Sequence, residues 1–277
     1  MWNVRMSEIM RTSPGLLSVH AKTETMHDRI LAEQVESGNA RWVEGPEQFE
    51  RMPEEYKDLV VHQMMAHTEG ELSGADDYLE LFYPMTDDPY EKKVCCERGG
   101  EEVDHYRKGA KVLADIGKDA SFMMDIPLQD RSLYATEAVK RIDNWPERGF
   151  FSMLGEAAVL EILKEMAESS YKPIADMCPG VIKEERVHVA HGFRIIRDLC
   201  QTHEGTQQAQ RALLRWWPVS LDVFGRSESK RSRLYVKWRL RKCTNEEARN
   251  RFIEAMVPKL QQLGLDVPDH SANRRFL

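Results

Sequence analysis

No run of apolar residues in this chain reaches the length of about 20 that a bilayer-crossing helix requires. The N-terminus mixes charges and methionines where a secretory leader would carry an apolar core. A soluble, cytoplasmic protein is therefore expected, with no membrane role. Cysteine is scarce too. Cys95, Cys96, Cys178, Cys200 and Cys243 are odd in number and lack metal-knuckle spacing, so free thiols in a reducing compartment are expected. Basic residues are in deficit, with a net charge of -7, which argues against a general nucleic-acid binder. What is present is 277 residues, 42% of them hydrophobic, enough to bury a substantial core as one large domain or a domain with an appendage.

The chemistry sits in two Glu-x-x-His pairs and two single glutamates. One pair lies in Glu101-Glu102-Val103-Asp104-His105, the other in Glu184-Glu185-Arg186-Val187-His188. Residues three apart share a helix face, so Glu102 with His105, and Glu185 with His188, can each aim a carboxylate and an imidazole at one centre. Dimetal carboxylate bundles complete this pattern with one glutamate from each of two further helices. The chain order Glu69, Glu102, His105, Glu156, Glu185, His188 fits one helical hairpin used twice, since Glu69 precedes Glu102 by 33 positions and Glu156 precedes Glu185 by 29. Four carboxylates and two neutral imidazoles balance two divalent ions. Without metal, the carboxylates would face one another at a cost of several kcal/mol per ion unless they took up protons. A lone pair at this spacing means little: Glu24-Thr25-Met26-His27 has it without a partner and reads as a solvated or interfacial helix turn.

Residues 1–52 read as an arm with a helix around 23–35, residues 53–205 as a four-helix bundle, and residues 206–277 as a helical extension packed on it. Pattern and punctuation predict bundle helices over 53–82, 89–116, 146–169 and 181–202, the last beginning after Pro179-Gly180. On the first, Leu59, His62, Met65, Glu69 and Leu72 share a stripe. Glu71 shares a more mixed one with Met64, His67 and Gly74, so Glu69 is favoured over Glu71. Met153, Glu156, Leu160, Leu163 and Met166 form the stripe of the third helix, and Glu161 falls off it. Gly99-Gly100 before Glu102 suggests a close backbone approach, a bulge or room for substrate. Cys95 lies on the face of Glu102, either lining a cavity or packed as a buried thiol, and His67 and His191 can support ligands or be ordinary structural histidines. Further helices are expected over 207–217 and 245–263. Between them the run from Arg226 to Lys242 carries eight basic residues against Glu228, a patch suited to an anionic ligand, to an acidic partner surface, or simply to solvent.

The six-residue series, with Trp216-Trp217-Pro218, Phe224-Gly225, Thr244-Asn245-Glu246-Glu247, Leu263-Gly264-Leu265 and Pro268-Asp269, resembles the catalytic subunits of the phenylacetyl-CoA 1,2-epoxidase family. The resemblance spans nearly everything after residue 53. It implies an all-α, ferritin-like fold and a di-iron centre held by Glu69, Glu102, His105, Glu156, Glu185 and His188. It also implies dioxygen-dependent epoxidation of the ring of an aryl-CoA thioester within an oligomer, alongside a ferritin-like structural partner subunit. Electrons would come from NADPH through a flavin/iron-sulfur reductase. With CoA implied, Lys230, Arg231, Arg233 and Lys237 become expected contacts for its phosphates or for the partner subunit. Two departures stand out: the family often has aspartate at the position of Glu156, and this tail is shorter. A related oxygenase acting on another acyl-CoA or a free aromatic remains open, as does a dimetal protein that handles metal or peroxide. A non-catalytic subunit is disfavoured because all six ligand positions are kept.

Overall fold

A computed structural model describes residues 26–37, 42–131 and 134–276. Glu24 and Thr25 of the Glu24-x-x-His27 turn, and most of the expected arm, lie outside the described residues. Among the described residues the structure is helical, with one isolated bridge between Val43 and Tyr171.

After α1 (Met26–Ser37) and the short α2 (Pro46–Phe49), the first long helix, α3 (Glu54–Asp76), continues through a wider π segment, Asp77–Phe82. A short connection, at whose end Asp88 caps the backbone N–H of Tyr90 (2.9 Å), reverses the chain into α4 (Pro89–Asp115). A crossing connection leads through α5 (Tyr134–Val139) to α6 (Trp145–Phe150). A second π segment, Phe151–Gly155, then runs into α7 (Glu156–Met166), and the chain reverses again into α8 (Lys172–Leu199). The two antiparallel hairpins, α3–α4 and α7–α8, pack together as the ferritin-like four-helix arrangement.

The start of α8 differs from expectation. It begins at Lys172, with Pro173 in its first turn, and runs through Pro179 rather than starting after it. Proline at 179 removes one helical hydrogen bond and normally breaks a helix. Here Ile174, Ala175, Cys178 and Val181 are all buried around it, and packing holds the helix across the defect.

The core has two connected parts. One gathers Ala32, Val35 and Val43 with Tyr56, Met64, Leu163, Tyr171 and Trp238; the other gathers Tyr78, Phe82, Met153, Leu213, Trp216, Trp217 and Phe252. The C-terminal elements α9 (His203–Asp222), α10 (Lys230–Lys237) and α11 (Asn245–Gln262) thus share the bundle's core, and a complete capping box at Thr244 and Glu247 starts α11.

Candidate metal centre

Glu71, Glu102, His105 and Glu185 converge in one cluster, and Glu102, Glu156 and His188 in another, all of them buried. Glu102 belongs to both. Its Oε2 lies 3.5 Å from His105 Nδ1 and its Oε1 3.3 Å from His188 Nδ1, while Glu185 Oε1 lies 3.4 and 3.6 Å from the same two nitrogens. The carboxylate of each Glu-x-x-His motif therefore faces both imidazoles, as a pair shared by two ions would.

Five of the six expected residues meet here; Glu69 does not. It is half-buried, and α3 turns Glu71 inward in its place, with Glu71 Oε2 3.1 Å from His105 Nδ1. Met64 and Glu71 of the mixed stripe are buried, as are Leu59 and Leu72 of the apolar one, and the small and polar members of the mixed stripe have specific uses. A side chain at Gly74 would come within 3.2 Å of the Glu102 carboxylate, so the missing Cβ makes room for that glutamate of the next helix. His67, one turn before Glu71, donates from Nδ1 to its carboxylate at 2.9 Å. Apolar content favoured Glu69, whereas the carboxylate that joins the cluster sits on the more polar stripe.

Further support comes from a signal that sequence reasoning missed, the doubled acid in each Glu-Glu-x-x-His. His105 Nε2 meets Glu184 Oε2 at 2.7 Å, and His188 Nε2 meets Glu101 Oε2 at 2.8 Å. Each motif's first glutamate thus receives the outer N–H of the other motif's histidine, which leaves both Nδ1 atoms facing the carboxylates. Such partners fix ring orientation and raise ligand basicity. Arg98 in turn pairs with Glu101, and Lys108 lies 3.7 Å from Glu184.

Glu156 is held differently. Tyr78, on the π segment of α3, donates its hydroxyl to Glu156 Oε1 (2.7 Å) and lies 3.1 Å from Ser152 Oγ. Arg148, fully buried under the rings of Tyr78, Phe82 and Trp145, donates to the same Ser152 at 2.8 Å. Two of the atoms facing the centre make no hydrogen bond among the described residues, Glu156 Oε2 and His188 Nδ1.

The electrostatics are those of a cation site. Burial and the charge of Glu71 raise the pKa of Glu102; burial and the charge of Glu102 raise that of Glu185 well above the usual carboxylate range. Burial also works against ionised Glu71, but His67 and His105 outweigh it and hold that carboxyl low. In the protein alone, burial opposes the imidazolium form at His105 and His188. The facing carboxylates, Glu102 and Glu71 in one case and Glu101 and Glu102 in the other, overcome it and push both up to about 11. The centre thus holds protons where it lacks metal. Its unpartnered inward atoms and its set of four carboxylates and two imidazoles fit two divalent metal ions.

A cavity of about 380 Å³ opens beside the centre. Glu71, Glu102, Glu156 and Glu185 line one end, and Phe151, Val159, Ile162, Leu163, Trp216 and Val219 form apolar walls. Asp222, Gly225 and Phe276 close part of it, the Asp222 carboxylate binding the backbone N–H groups of Arg275 (2.6 Å) and Phe276 (3.1 Å). Cys95 is buried in the core and is absent from the cavity lining. His191 bonds Glu91 (2.8 Å) and no member of the clusters. Gly99 gives a close approach to Leu79, and Gly100 faces open space.

The four basic residues expected to meet an anion lie on α10, outside the cavity lining. Arg231 donates to His62 Nε2 (2.6 Å), Arg233 to Glu228 (2.9 Å), and Lys237 pairs with Glu36 (2.9 Å) and Glu55 (3.4 Å). Lys230 is exposed at the start of the helix. The basic residue of that run that does line the cavity is Arg241.

Residues 110–275 match the family model described as phenylacetic acid catabolic protein, a stretch that includes Glu156, Glu185 and His188. The chain is also 26% identical, over 223 residues, to one of the subunits of the 1,2-phenylacetyl-CoA epoxidase of Escherichia coli (strain K12), covering 79% of this chain and 71% of that protein. With a matched stretch that takes in more than half of its length, the chain belongs to the phenylacetic acid catabolic protein family.

Proposed function

We propose that this chain is the catalytic subunit of a multicomponent di-iron monooxygenase that epoxidises the aromatic ring of an aryl-CoA thioester such as phenylacetyl-CoA. The observation that carries the proposal is the opening of a buried four-glutamate, two-histidine centre onto an apolar cavity. The similarity to one component of the Escherichia coli epoxidase supports the substrate class and the need for partner subunits.

Glu71, Glu102, His105, Glu156, Glu185 and His188 would hold the metal, with Glu71 in place of Glu69. Two iron ions there would supply the redox chemistry that activates dioxygen, with electrons drawn from NADPH through a separate reductase. The chain's own contribution is positional. Glu101 and Glu184 keep the histidines turned inward, and Tyr78 and His67 each fix one oxygen of a ligand carboxylate. The walls formed by Phe151, Val159, Ile162, Leu163 and Val219 orient an aromatic ring toward the carboxylates and exclude water that would divert the reaction. Lys230, Arg231, Arg233 and Lys237 serve the CoA phosphates or the partner subunit from the exposed face of α10 beside Arg241.

The test is to combine the iron-loaded protein with its structural partner, a reductase, NADPH and phenylacetyl-CoA, and to follow the thioester by mass spectrometry. The expected product gains one oxygen atom. Consumption of dioxygen or peroxide without an oxygenated thioester, across a panel of acyl-CoAs and free aromatics, would contradict the proposal and favour a protein that handles metal or peroxide.

A further inference from the structure

Each polar group buried without a partner costs about 1–3 kcal/mol. Gln63 carries two such groups: it is 4% exposed, and neither its amide oxygen nor its amide nitrogen meets a hydrogen-bond partner among the described residues. The side chain lines the cavity. It sits on α3 eight residues before Glu71, about 12 Å from it along the helix.

The same end of the cavity holds a second unmet donor. Arg241 lines it, its Nε is buried without a hydrogen-bond partner among the described residues, and its guanidinium lies over the Tyr235 ring at 4.6 Å. Tyr235 in turn meets His62, the neighbour of Gln63, at 3.0 Å, so Arg241 and Gln63 belong to one end of the cavity. Met166, at the far end of α7 from Glu156, lines the cavity as well. The space is thus acidic and metal-binding at one end, apolar along its walls, and at the other end equipped with an amide and a guanidinium in need of partners.

We propose that Gln63, with Arg241 at the same end, is a binding subsite for an amide group in the thiol arm of the substrate. The assignment rests on the thioester reading given above. A carboxylate or phosphate would use the donors of Gln63 but leave its amide oxygen facing negative charge. An amide, having one carbonyl and one N–H, satisfies both sides of the glutamine, and Arg241 can donate to the same carbonyl. The spacing suits this chemistry: with the aryl ring at the carboxylates, a two-carbon acyl group, the sulfur and an ethylene link bring the first amide of a CoA-type arm to the level of Gln63. The subsite would set how deep the ring enters, independently of any contact to the phosphates.

The test uses two phenylacetyl thioesters without phosphates, one made with N-acetylcysteamine and one in which methylenes replace the amide. Binding of both to the full-length protein is measured by calorimetry for wild type, Gln63→Leu and the near-isosteric Gln63→Glu, with folding of each variant checked by circular dichroism. The expected result is an affinity loss of about tenfold for the amide-bearing thioester in both variants. The all-methylene thioester should bind Gln63→Leu at least as well as wild type. Equal losses for both ligands, or no loss for either, would overturn the subsite, the second result meaning that water alone satisfies Gln63. If wild type bound neither thioester while loading metal normally, the thioester reading would fall and this assignment with it.

Discussion

The two helical hairpins bring equivalent donors to the centre but hold them by different means. In α3–α4, the single glutamate is steadied from its own helix: His67 lies one turn before Glu71 and bonds it at 2.9 Å. In α7–α8, the single glutamate depends on the other hairpin, because the hydroxyl that fixes Glu156 belongs to Tyr78 on the π segment of α3. The Glu-x-x-His pairs are tied reciprocally, each histidine to the other motif's leading acid. One half of the centre is therefore locally supported, the other half is supported across the bundle, and the crossed histidine contacts bind the two together.

The harshest way to break this arrangement is to remove one of the clustered side chains outright. Glu185→Ala or His105→Ala should lose at least one of two metal ions per chain, as read by elemental analysis of protein purified with iron; full content in both variants would remove the site. A gentler break separates the crossed contacts. Glu184→Gln should weaken the ion near His105, and Glu101→Gln the ion near His188, each by about 10–100-fold in a chelator competition. If neither substitution changes affinity, these acids are surface groups without a role in the centre.

The contrast between local and cross-bundle support is sharpened by a pair of smaller changes. Tyr78→Phe should weaken only the ion at Glu156, and His67→Ala only the ion at Glu71, each by about tenfold for one lost charge-assisted hydrogen bond. Stepwise metal titration distinguishes the two, and identical binding curves would mean that the halves do not differ as described. The smallest expected effect is a proton count. With His105 and His188 pushed up to about 11 in the metal-free protein, both are charged at neutral pH and must deprotonate to ligate. Metal uptake should therefore release protons into weakly buffered solution and tighten as pH rises, whereas uptake without proton release would show the imidazoles already neutral.

Much of this centre is written in periodic spacing. The two Glu-x-x-His pairs and the stripe around Glu156 follow from residues three and four apart, and all five of those residues meet in the structure. What spacing could not convey is where a helix departs from 3.6 residues per turn. The π segments at Asp77–Phe82 and Phe151–Gly155 shift the helical phase of the residues beyond them, and one of them presents Tyr78 to Glu156. Nor could apolar content find Glu71, since the face that carries it uses a histidine to hold the carboxylate and a glycine to admit its neighbour. Pro179 misled for the reverse reason: a strong local breaker is overridden by the packing of Ile174, Cys178 and Val181 around it.

Glu71 is the point where the proposed six-residue centre stands or falls, because it is the candidate ligand that the fold brings in against the apolar pattern. Metal content of Glu71→Ala and Glu69→Ala, measured side by side in protein made with iron, tests this most directly. With Glu71 as the ligand, Glu69→Ala should hold about two ions per chain and Glu71→Ala should lose at least one. Full content in Glu71→Ala with a loss in Glu69→Ala would contradict that assignment.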